Sequence, residues 1–165
     1  MDIQLSMIVR AAHILTASLW IGAAALLTLY IMPAIRSAGA AGGTVVAESM
    51  RRGLGVFMAS VAGTTILSGA WLFWIRFQVS GAAGMHSNGG IALTLGALAG
   101  FVAMILGGAI LGRTSRDLAA LAAAPANDET GARIAALHRR GAAVSKVTLT
   151  LLVAALLLMV LSRSF

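Results

Sequence analysis

From position 14 to position 35 the chain runs 22 residues without a formal charge. At about 1.5 Å of rise per residue an α-helix of that length crosses the roughly 30 Å hydrocarbon core of a bilayer. Backbone inside lipid has to satisfy its own hydrogen bonds, so the run is expected to be helical. It lies inside the stretch RAAHILTASLWIGAAALLTLYIMPAIR, and comparable apolar runs occur at 56–75, 91–111 and 147–161. Short connections between four such runs predict an all-α polytopic membrane protein, an up-down-up-down bundle of four transmembrane helices. The expected helices are 4–35, 45–78, 89–122 and 128–163, in a single domain covering 1–165.

Composition agrees with a lipid environment. The chain is 59% hydrophobic and 10% charged, against about 45–50% and about 25% in soluble domains. The start, MDIQLSMIVR, lacks the basic lead and small-residue cleavage site of a secretory signal, so the first helix is expected to be retained. The absence of cysteine excludes disulfides, thiolate metal sites, iron–sulfur clusters and thiol nucleophiles. A net charge of +7 is read as loop placement, with no nucleic-acid partner. Arg36, Arg51 and Arg52 lie between the first two spans, and Arg113, Arg116, Arg133, Arg139 and Arg140, with Lys146, between the last two. Positive-inside logic puts these loops in the cytoplasm and both termini outside.

Local signals refine the spans. Pro33 is expected to kink or end the last turn of the first helix, and Thr44 to cap the second. Ser60, Thr64 and Ser68 form a small polar stripe suited to helix packing, and Trp71 and Trp74 mark the far interface. The connector is read at 79–90. In the third span Gly96, Gly100, Gly108 and Gly112, with Met104, form a row that admits a close helix or something flat; plain packing is the favoured reading. Asn127 or Asp128 caps the fourth helix.

Chemistry rests on three histidines. On the first helix Arg10, His13, Ala17, Trp20, Ala24 and Thr28 share one stripe, and an ionisable ring inside a span turns toward protein, a cavity or a cofactor. His13 lies roughly 13 Å below the outer end of its helix. His138 sits at the opposite surface. Counting to the same depth on the other helices reaches Gly69, Gly96 and Ala155, small residues that would leave room for a planar cofactor. Haem iron accepts imidazole, often with His or Met opposite. His86 in the outer connector is the first candidate for the second metal ligand, Met159 the next and Met85 a third. Arg10, one turn outward of His13, is placed to meet a propionate. A packed His13 hydrogen-bonded to Ser68, Thr65 or a backbone carbonyl accounts for the same residues and stays open. Lys146 is read as snorkelling to headgroups. No nucleophile with a general base is visible, so catalytic residues are unassigned.

The first helix, with His13, Trp20-Ile21-Gly22 and Pro33, resembles that of the bacterial copper-resistance D family, and the end, ALHRRGAAVSKVTLTLLVAALLLMVLSR, is similar to that group's last helix. A more distant resemblance is to the four-helix membrane protoporphyrinogen oxidase. This chain departs from it in having no Arg directly after Pro33 and no lysine in 91–111. The resemblance implies haem b at His13, with electron transfer or one-electron chemistry involving a redox partner or quinone. Copper is the rival cofactor, suited to thioether and imidazole ligands. A non-catalytic copper-handling or structural subunit is the alternative function, and a homo-oligomer through the glycine row is a further expectation.

Overall fold

The computed structural model describes residues 3–122 and 127–164. The described residues fold without strands into five helices, four of them long and apolar enough to cross a membrane. These are α1 (Ile3–Ser37), α2 (Ala40–Arg51), α3 (Leu54–Met85), α4 (88–122) and α5 (Asp128–Leu161). The chain is therefore an all-α membrane bundle. Its exposed residues include Ile8, Leu15, Leu67, Leu98 and Leu157, which water would penalise and lipid accepts.

Two helices carry a wide turn. In α1 the segment Leu27–Ile31 is π-helical, and the Met32 N–H reaches back to the Leu27 carbonyl. Pro33 explains it, because its ring crowds the carbonyl four residues earlier and it has no N–H to donate. The helix then continues to Ser37 instead of ending. In α4 the wide turn is Leu106–Leu111. The extra residue rotates the rest of the helix, so Gly96 and Gly100 are buried while Gly108 is exposed. The glycine row therefore does not stay on one face.

The second span begins later than expected. Residues 40–51 form the separate helix α2, whose capping position is Gly39, and Thr44 lies inside it. Gly53, with φ +92°, makes the turn into α3, a conformation that only glycine adopts without strain. The far end of α3 runs on to Met85, into the expected connector, with a break at Gly81 (φ +63°). Ser87 then caps α4 by accepting from the Gly90 N–H, and Asn127 caps α5 by accepting from the Thr130 N–H at 2.8 Å.

α1 packs most closely on α3, and α4 on α5; α3 touches α4 and α1 touches α5 less extensively. All four spans meet at Trp20, which is 5% exposed and packs with Val61 and Ala62 of α3, Ala103 of α4 and Leu152 of α5. The α3 face turned inward is Val61, Ala62 and Thr65; Ser60 and Thr64 of the expected stripe are exposed. One residue is about 100° on a helix, so the true interface is the expected stripe turned by that step.

Candidate functional site

His13 meets α3 at the level where that helix offers a carbonyl, a hydroxyl and a glycine. Its Nδ1 lies 2.9 Å from the Thr65 carbonyl oxygen and 3.2 Å from Ser68 Oγ. A carbonyl can only accept, and the Ser68 hydroxyl donates within its own helix, to the Thr64 carbonyl. Nδ1 therefore carries the proton, shared between the two oxygens. In the neutral ring this fixes the tautomer and leaves Nε2 as a lone-pair site. Nε2 has no hydrogen-bond partner among the described residues. The arrangement matches the usual way a ligating imidazole is held, its other nitrogen donating to a carbonyl.

Around the ring the polar contacts continue. Thr65 donates to the Val61 carbonyl at 2.7 Å and its hydroxyl lies 2.9 Å from that of Thr16, which donates to the Ala12 carbonyl. Thr65 is buried and His13 half-buried. Outward of Trp20, α1 has no buried residue among those described. On the other helices the same end does hold buried residues, Gly89, Gly90, Ala92 and Gly96 of α4 and Ala155 of α5.

Gly69 lies directly against the imidazole. A Cβ at Gly69 would stand 2.8 Å from His13 Cε1 and 3.2 Å from Nδ1, closer than real side chains approach. The small residue makes room for the histidine itself. Gly96 serves the other pair, since a Cβ there would stand 3.1 Å from the Ala155 carbonyl oxygen and 3.2 Å from Met159 Cγ. The structure thus brings together His13 with Gly69, and Gly96 with Met159. The space expected beside these two glycines is filled, by the imidazole in one case and by α5 in the other.

The remaining expected residues are dispersed. His86 follows the last turn of α3 and is exposed; Gly81, which breaks that helix, is already 12 residues beyond Gly69, about 18 Å of helical rise. No hydrogen bond joins His86 to His13. Met85 is half-buried beside it, and His138 is half-buried toward the arginine-rich end of α5. Arg10 is exposed and makes no ion pair among the described residues. Glu48 is held by Arg51 and Arg52. No group of three or more His, Asp or Glu side chains converges on a metal position among the described residues.

As a haem pocket, this set fits at His13, whose Nε2 has no hydrogen-bond partner among the described residues, and at Arg10, one turn away, which makes no ion pair among them. It does not fit at Gly69, Gly96 or Met159, which are already in contact with neighbours. Sequence reasoning missed the Thr16–Thr65 link. Its signal was present as two threonines on the first two apolar spans, although their shared depth is readable only once the spans are aligned. Comparison of the whole chain with family models, with curated proteins and with solved structures finds no match.

Proposed function

We propose that this multi-pass membrane protein binds a b-type haem through Nε2 of His13 and passes electrons at the end of the bundle that carries the termini. The observation supporting this is the Thr65 carbonyl on Nδ1, which points the lone pair away from its own clasp. His13 would supply the axial ligand, Thr65 and Ser68 would hold its orientation, and Arg10 would meet a propionate. Bound haem would supply one-electron redox chemistry, its potential tuned by that ligation and by the apolar surroundings. His86 and Met159 have no part in this version. The placement of arginines supports an inner-membrane protein with both termini outward, facing a quinone or a periplasmic redox partner.

A second reading, of a structural or copper-handling subunit, is favoured by the fit of Gly69 to the imidazole. There His13 only ties α1 to α3. The detergent-purified protein separates the two. Haem binding gives a Soret band with reduced-state α and β bands, lost in His13→Ala and kept in His138→Ala and His86→Ala. A colourless, folded preparation overturns the haem reading, and copper found by metal analysis of that preparation would then favour the second.

A further inference from the structure

The buried threonines Thr65, Thr114 and Thr148 are 6–7% exposed. Two of them satisfy their hydroxyls by donating to the carbonyl four residues earlier, Thr65 to Val61 and Thr114 to Ile110. Thr148 does not. Its Oγ1 is buried with no hydrogen-bond partner among the described residues, although Val144 offers the equivalent carbonyl on the same helix. A buried hydroxyl left without a partner costs stability comparable to a lost hydrogen bond, so native structures normally supply one.

Its position narrows what that partner is. Leu152 of α5 and Ala103 of α4 belong to the Trp20 layer. The two helices run in opposite directions, so one turn toward the arginine-rich end leads from Leu152 to Thr148 and from Ala103 to Gly107. Gly107 lies within the wide turn Leu106–Leu111, which packs against α5, and a Cβ added to it would meet nothing within 4 Å. The other wide turn, Leu27–Ile31 of α1, also packs against α5. Such turns interrupt the regular ladder and leave carbonyl groups under-used, a common setting for inserted water.

We propose that the bundle binds water at Thr148, in the space beside Gly107, where it joins the threonine hydroxyl to backbone carbonyls of the Leu106–Leu111 turn. The hydroxyl is unpartnered and no side chain fills the space at Gly107, which meets the need of an internal water for polar partners and room. It lies on the opposite side of Trp20 from His13 and is independent of any cofactor there. Each half of the bundle then contains a polar site, and the indole stands between them.

The test combines direct detection with two substitutions on the full chain. In lipid bilayers, water-edited solid-state NMR should show magnetisation transfer from slowly exchanging water to the Thr148 side chain. Thr148→Val, which keeps the shape and removes the hydroxyl, should abolish that transfer and lower the melting temperature in detergent by about 2–4 °C. Gly107→Ala should do the same by occupying the water's place. Absence of the transfer in the native protein overturns the proposal. So does a melting temperature that is unchanged or raised in either variant, because an orphaned hydroxyl or a dry void would be improved by the added apolar group.

Discussion

In the α1–α3 pair the close contact is polar: an imidazole shared between a carbonyl and a hydroxyl, two threonine hydroxyls 2.9 Å apart, and a glycine cut away beneath the ring. In the α4–α5 pair it is apolar, with Gly96 letting the Ala155 backbone and the Met159 side chain come within ordinary contact of a bare Cα. Lipid tails are as apolar as leucine, so neither pair gains from leaving lipid as a soluble core gains from leaving water. One pair is joined by hydrogen bonds and the other by close van der Waals fit. The difference shows why the histidine pair is the candidate for chemistry: a polar clasp is needed only where a polar side chain is kept inside the span.

The largest effect is expected where the pairs meet. Trp20→Ala removes the side chain around which all four spans pack and should cost about 3–5 kcal/mol in reversible unfolding from detergent. A loss below about 1 kcal/mol would mean that the pairs are stable apart and the Trp20 layer is incidental.

Next comes the apolar pair alone. Gly96→Val forces a branched side chain against Ala155 and Met159 and should cost about 1–3 kcal/mol. Gly100→Ala, with nothing within 4 Å of the new methyl, should be close to neutral. Equal costs at both positions would break the assignment of Gly96 as the contact point. Combined with His13→Ala, the Gly96→Val cost should add to within about 0.5 kcal/mol, since the two sites lie in different pairs.

The polar pair is expected to be weaker. Interhelical hydrogen bonds in membranes average about 0.6 kcal/mol and reach about 1.7 kcal/mol, so His13→Ala should fall in that range. Gly69→Ala sharpens the point, because its methyl would sit 2.8 Å from Cε1 and the ring would have to leave Thr65. Nitrogen NMR of the imidazole should lose the Nδ1–H signature in that variant. If the signature survives, Gly69 is not what seats the ring.

The smallest effect lies outside the membrane spans. Hydrogen bonds from Arg51 and then Arg52 hold the Glu48 carboxyl below the usual carboxylate range. A lowered folded value means that the contribution is present above the ordinary carboxylate pKa of about 4.3 and is lost as pH falls through the folded value. These pairs are exposed and screened, so the change should be confined to α2. Amide exchange in α2 should rise on acidification, and Glu48→Gln should abolish the pH dependence without touching α1 or α3. Global unfolding over the same range would contradict this.

Four charge-poor runs determined the four spans and the lipid environment, because hydropathy and length act residue by residue along the chain. His13, Trp20 and the small residues opposite them were readable as an inward stripe for the same reason. Which glycine faces which neighbour was decided only by the tertiary structure. A single wide turn rotates all later residues of its helix by most of a quarter turn or more, and the one-residue offset on α3 exchanged Thr64 for Thr65. Helix pairing decided the rest: Gly69 received an imidazole and Gly96 a backbone, two outcomes that a small residue at a given depth permits equally.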